Sequence, residues 1–233
     1  MRDLLLLSTS AVHGTQYLEH AFAELRDFLG SCRRLVFIPY ALKNQDKYAA
    51  KARTAFESIG YAVDSLHEAP APKAALEAAE AVFCGGGNTF RLLNQLYLHE
   101  LVPVLRRRAS EGMRYAGASA GANVACPTIR TTNDMPIIQP PSFEALGLVP
   151  FQINPHYLDP DPHSTHMGET RETRLLEFLE DNDAPVVGLR EGAMLRVHGE
   201  NMTLRGAAGA RVFRKGRDPV EAPPGASLDH LLR

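Results

Sequence analysis

The sequence has little cysteine, no run of apolar residues long enough for a membrane, and no excess of charge of either sign. Cys32, Cys84 and Cys126 are too few and too scattered for a disulfide framework. None belongs to a CxxC pair, so neither a zinc knuckle nor a dithiol site is indicated. The N-terminal MRDLLLLSTS holds four consecutive leucines. A signal peptide needs a longer apolar stretch, and a transmembrane helix about twenty apolar residues. The expectation is a cytoplasmic protein with reduced thiols that does not engage a membrane. Lys plus Arg number 25 and Asp plus Glu 27, a net charge of −2, which argues against a surface built for nucleic acid. No GxxxxGK[ST] occurs, and Phe90 stands where a dinucleotide fingerprint needs glycine.

What is present is an ordinary soluble composition, 45% hydrophobic and 22% charged over 233 residues. That suffices for a full core and fits one domain spanning residues 1–233. Short apolar runs alternate with amphipathic stretches. Leu4–Ser8, Leu35–Pro39, Tyr61–Leu66, Ala81–Cys84 and Arg114–Ala118 read as strands. Stretches opening at Thr15, and covering Tyr48–Ile59, Pro72–Glu80, Asn88–Leu98 and Val102–Ser110, read as helices, two of them closed by Gly30 and Gly60. Strands without polar alternation, separated by helices, predict a doubly wound, mostly parallel α/β sheet covered on both faces. Its functional loops then lie at the carboxyl ends of the strands, at 8–14, 39–45, 85–88 and 119–122.

The second half is less regular. Residues 126–145 read as a long ordered loop, Val149–Ile153 as a strand and 168–181 as a helix. The runs 185–189, 193–198, 201–205 and 210–214 read as a C-terminal β meander. The Pro-rich tail after Gly216 reads as loosely held.

Gly117-Ala118-Ser119-Ala120-Gly121 fits G-x-S-x-G directly after a strand and before a helix start, the setting of a nucleophile elbow. Such a turn lifts the serine hydroxyl above the sheet and leaves room only for glycine two positions away on either side. The plain alternative is a small-residue turn that merely packs closely. Gly85-Gly86-Gly87-Asn88 closes the preceding strand. Backbone N–H groups there suit one half of an oxyanion hole, with Gly87 partnered by Ala120. The plain alternative is a tight turn with Asn88 as a helix N-cap, a role it can hold in either case. A serine needs a base. His156, after the 149–153 strand, is the first candidate and His13 the reserve. His163 and His166 sit in a polar loop without an evident third metal ligand and read as solvated. For the carboxylate that orients the base, Glu191 and Asp134 are both open.

Taken together, GGGNTF, GASAGAN, CPTIRTTNDMPI, QINPH and GETR resemble the peptidase E family of alpha-aspartyl dipeptidases, from LLLLSTS to the Gly192 region. The resemblance implies a fold like that of class I glutamine amidotransferases with serine replacing cysteine. It implies cleavage of dipeptides with N-terminal aspartate, without metal or cofactor and without endopeptidase activity. Ser119 then corresponds to the nucleophile and His156 to the base. Glu191 and Asp134 both match the family's third member; the rigid strand-end position of Glu191 favours it for direct contact, with Asp134 supporting the site.

A substrate carboxylate calls for a bidentate donor, and Arg171 in GETR comes before Arg130 for that role. Asn88 completes the residues expected at the substrate. Two other readings remain: a cyanophycinase-like hydrolase of other aspartyl substrates, and a non-catalytic binding module of the same fold. The sequence is compatible with a homodimer, because its apolar residues do not separate a dimer face from the core.

Overall fold

The computed structural model describes residues 1–165 and 167–233; His166 lies outside the described residues. The chain runs β1 (Asp3–Leu7), α1 (Phe22–Leu29), β2 (Arg34–Ile38), α2 (Gln45–Glu57), β3 (Ala62–Ser65), α3 (Pro72–Ala78) and β4 (Ala81–Cys84). It continues through α4 (Thr89–Leu98), α5 (Val102–Ser110), β5 (Arg114–Ala118), α6 (Ala120–Asn123) and β6 (Gln152–Pro155). After α7 (Arg171–Asp181) come β7 (Val186–Leu189), β8 (Ala193–His198), β9 (Asn201–Gly206), β10 (Ala210–Arg214) and β11 (Arg217–Ala222).

The main sheet has seven strands in the order β3-β2-β4-β5-β1-β8-β9. Its first five are parallel, while β8 and β9 add on antiparallel beside β1. The leucine run of β1 shows why both faces are covered. Leu4 and Leu6 enter one apolar cluster, with Leu92, Leu96 and Leu105 of α4 and α5. Leu5 and Leu7 enter the other, with Leu25 and Phe28 of α1 and Phe56 of α2. Successive side chains of a strand point to opposite faces, so an unbroken apolar strand needs helices on each.

The ends of the helices follow local chemistry. Asn44 caps α2 by accepting from the Lys47 N–H at 2.9 Å. The stretch expected as a helix from Thr15 starts later. The Thr15 hydroxyl donates to the Val12 carbonyl at 2.9 Å and accepts from its N–H, closing a turn. A short 3-10 turn at Glu19–Ala21 then leads into α1.

Three other expectations are corrected. The strand expected at Val149–Ile153 is β6, which begins at Gln152, because its pairing runs from Gln152 opposite Val186 to Pro155 opposite Leu189. Val149 and Phe151 are buried without being part of it. The expected meander is divided between two sheets. β8 and β9 extend the main sheet, while β7 and β10 join β6 and β11 in a second sheet ordered β11-β10-β7-β6. Short amphipathic runs carry no label for their partner, and β8 is drawn to the open edge of β1.

The tail after Gly216 is not loose. β11 pairs with β10, and Leu228, Leu231 and Leu232 pack into the main core. The Leu228 N–H donates to the Met202 carbonyl at 2.8 Å, and Asp229 accepts from the Met202 N–H at 2.6 Å. Burying three leucines contributes several kcal/mol at about 1.5–3 kcal/mol each, comparable with the whole stability of a domain. Deleting residues 217–233 is therefore expected to lower the urea midpoint sharply or leave insoluble protein. An unchanged midpoint would show that the tail adds nothing to the core.

Candidate active site

The site is assembled at the carboxyl ends of β1, β2, β4 and β5, with β6 and β7 brought alongside. β5 ends at Ala118, and Ser119 follows with φ 53° and ψ −110°. A left-handed backbone at a residue other than glycine costs roughly 1–3 kcal/mol and persists only where its surroundings hold it. Here the Ser119 N–H donates to the Leu7 carbonyl at 3.0 Å, and its carbonyl accepts from Ala122 and Asn123 as α6 begins. A Cβ on Gly117 would come within 2.3 Å of the Gly121 oxygen, and one on Gly121 within 2.1 Å of the Cys84 oxygen. Both flanking glycines are thus required by close backbone contact.

The glycine loop after β4 lies against this turn. A Cβ on Gly86 would sit 3.1 Å from the Ser119 Cβ. Gly87 has φ 135°, and the Asn88 N–H is tied to the Ala41 carbonyl at 3.1 Å. The Ala120 N–H opens α6, where an amide has no acceptor within its own helix. Gly86, Gly87, Ser119 and His156 line one cavity of about 620 Å³.

His156 follows β6, also with a left-handed backbone at φ 53°. Its N–H donates to the Ser8 hydroxyl at 2.9 Å, and that hydroxyl donates to the Leu189 carbonyl at 2.7 Å. Ser8, at the end of β1, therefore links the main sheet to both β6 and β7. The imidazole Nδ1 lies 2.7 Å from Glu191 Oε1, and Nε2 lies 3.0 Å from Ser119 Oγ. A carboxylate only accepts, so Nδ1 carries the proton and Nε2 is left to accept from the serine hydroxyl. This arrangement can draw the hydroxyl proton as Ser119 attacks a carbonyl. The sequence pattern puts Ser8 at a strand end; its bridging bonds leave no trace in sequence.

Asp134 is not brought to His156. Its Oδ2 accepts from the Thr89 N–H at 2.7 Å and the Thr89 hydroxyl at 2.6 Å, capping α4. The Asn88 side chain is engaged at both ends: Oδ1 accepts from the Arg91 N–H, and Nδ2 donates to the Met135 carbonyl. Its amide is therefore fixed as a cap, the role the sequence allows it in either reading. Arg171 is half-buried at the start of α7. Burial and Arg174 hold its pKa below the usual guanidinium range, while Asp134 favours its charge. Among the described residues it forms no ion pair, so it is a cation without a fixed partner. Arg130 is exposed, as are His13 and His163.

The three cysteines are buried and unpaired; burial pushes the Cys84 thiol up to about 12 and Cys126 higher still, so neither thiol is poised as a nucleophile. Asp46, His67 and Glu68 bring ligand atoms within 4.8 Å of one another. They are already engaged, His67 with Ser65 and Asp46, and Glu68 with Arg53. No helix among the described residues is long and apolar enough to cross a membrane.

A strained serine at the carboxyl ends of a parallel sheet, backed by an imidazole and a carboxylate, is the arrangement of a serine hydrolase. Residues 4–205 match the model of peptidase family S51, and the chain belongs to that family of serine peptidases. It is 56% identical over 230 residues to peptidase E of Streptomyces coelicolor, covering 99% of this chain and 95% of that one. It is 49% identical over 235 residues to a Drosophila melanogaster protein named "probable alpha-aspartyl dipeptidase", covering 100% of this chain and 98% of the relative. The crystal structure of a peptidase from an acI-B1 Actinobacterium shares the fold, with a TM-score of 0.72 at 18% identity over 98% of this chain and 96% of that one.

Asp134→Asn should act through the α4 cap. Replacing a charged acceptor at a helix N-terminus costs about 1–2 kcal/mol, so the urea midpoint should fall while kcat changes by less than about tenfold. A collapse of kcat at unchanged stability would place Asp134 in the chemistry instead.

Proposed function

We propose that the chain is a cytoplasmic dipeptidase that removes N-terminal aspartate from Asp-X dipeptides through an acyl-enzyme on Ser119. The observation that carries this reading is the unbroken contact from Ser119 through His156 to Glu191, at 3.0 and 2.7 Å. His156 Nε2 takes the hydroxyl proton as Ser119 Oγ attacks the peptide carbonyl. Glu191 holds the ring in the required tautomer and stabilises the imidazolium that forms. The Gly87 and Ala120 N–H groups face the developing oxyanion. His156 then protonates the leaving amine, and water, deprotonated by the same nitrogen, hydrolyses the aspartyl ester.

The relatives' names support aspartate as the first residue, and Arg171 supplies a chemical reason. A half-buried guanidinium lacking a fixed partner gains most from a ligand carboxylate. With asparagine or leucine in that place it stays desolvated and unpaired. A site built around such a partner rejects analogues lacking it on the order of 10⁴-fold. Glutamate is a poor fit as well, because one more methylene shifts the scissile carbonyl from Ser119 while its carboxylate stays clamped.

Ser119→Ala should remain folded and lose Asp-Leu hydrolysis by several orders of magnitude; retained turnover would sink the serine mechanism. Glu191→Gln should lower kcat by about 10⁴-fold, because an amide favours the wrong tautomer. Hydrolysis should be insensitive to EDTA. Comparing kcat/KM for Asp-Leu, Asn-Leu, Glu-Leu and acetyl-Asp-Leu tests the substrate. Equal rates for Asp-Leu and Asn-Leu would rule out an aspartyl dipeptidase, whereas an undiminished preference in Arg171→Ala would remove only the role given to Arg171.

A further inference from the structure

The cavity that holds Ser119 and His156 has a cationic wall. Lys43, Lys47 and Lys51 all line it, and no aspartate or glutamate does. Lys47 and Lys51 are one helical turn apart on α2, so they share a face. Lys43 comes from the β2–α2 loop just before the Asn44 cap. The lysine ion pairs among the described residues are Lys73 with Glu100 and Lys215 with Asp183, so none belongs to this wall. The acid within the stretch, Asp46, is taken up by His67 at 2.9 Å. The Lys51 ammonium lies 4.7 Å over the ring of Tyr17, whose hydroxyl is 3.4 Å from that of Tyr48. In a chain of net charge −2, three neighbouring cations without a carboxylate partner among the described residues line the cavity that holds Ser119.

We infer that Lys43, Lys47 and Lys51 read the anionic leaving half of the substrate, so that the enzyme prefers dipeptides whose second residue is itself acidic, such as Asp-Asp and Asp-Glu. This rests on the aspartyl-dipeptidase reading and extends it to the second residue. A dipeptide of this kind presents carboxylates at two separate places. The β-carboxylate of the first residue is assigned to Arg171, which feels the charge of Asp134 and does not belong to the lysine wall. The leaving amine must face His156, which borders the lysine cavity. The C-terminal carboxylate and an acidic side chain beyond it then enter the field of the three ammonium groups. Such groups are exposed and act at a distance, so their effect is additive, modest for each, and screened by salt over about 8 Å at physiological ionic strength.

The test is kcat/KM for Asp-Glu, Asp-Leu and Asp-Lys at roughly 20 mM and roughly 500 mM salt. Wild type should favour Asp-Glu over Asp-Lys by about tenfold or more at low salt, with the ratio shrinking at high salt. The combined Lys43→Gln, Lys47→Gln and Lys51→Gln variant should bring the ratio close to one. Lys47→Glu alone, a change on an exposed helix face, should lower it and provides a second readout if the combined variant folds poorly. A wild-type ratio near one, or one that both variants leave intact, overturns the inference while leaving the aspartyl reading standing. Loss of the Asp-Leu over Asn-Leu preference in the combined variant, with the second-residue ratio unchanged, would also overturn it and assign the lysines to the first residue. If wild type cleaves no aspartyl dipeptide, the underlying reading falls, and this inference with it.

Discussion

The strained turn at Ser119 is the constraint on which the rest of the site depends. Its left-handed backbone is held only because the chain packs there at backbone contact. Gly121 rests on the Cys84 carbonyl, and Gly117 on Gly121. Those contacts join β4, β5 and α6 into one rigid corner. They also place the glycine loop after β4 beside the serine, so that the Ser119 hydroxyl and the loop amides come from the ends of adjacent parallel strands. A methyl group at either glycine would push the layers apart.

The second sheet supplies what the first lacks. His156 and Glu191 belong to the ends of β6 and β7, which pair with each other and not with β1 or β5. The link is the Ser8 hydroxyl, which accepts from the His156 N–H and donates to the Leu189 carbonyl. One buried hydroxyl at the end of β1 thus sets the separation between the imidazole and Ser119. The histidine itself has a left-handed backbone, and its ring meets the Ser119 hydroxyl of the main sheet.

Charge is divided among these elements by function. Glu191 is set against the imidazole and Asp134 against the N-terminus of α4, so the two candidate carboxylates do different work. Among the described residues, cations without an ion pair include Arg171 at the start of α7 and the lysines of α2 and its preceding loop in the serine's cavity. This distribution leaves positive charge on the wall of the cavity that holds Ser119.

Much of the parallel sheet was legible in the sequence, because β1, β2 and β4 hold short apolar runs, and the helices between them keep a 3.6-residue period. The Ser119 turn was legible too, since only glycine tolerates contact that close, and the requirement leaves its mark as G-x-S-x-G. What the pattern did not carry was partnership. The strands after Pro185 look alike one by one, yet β8 and β9 close the edge of β1 while β7 and β10 join β6. The tail reads as loose because it is Pro-rich, although Leu228, Leu231 and Leu232 are buried. The choice between Glu191 and Asp134 was left open by motif alone, and Asn88 could be read as either cap or contact. Local sequence determined which segments extend, coil and turn, because those preferences belong to residues and their near neighbours. Only the tertiary structure decided which carboxylate meets the histidine, because that depends on two sheets meeting through one hydroxyl between residues 148 positions apart.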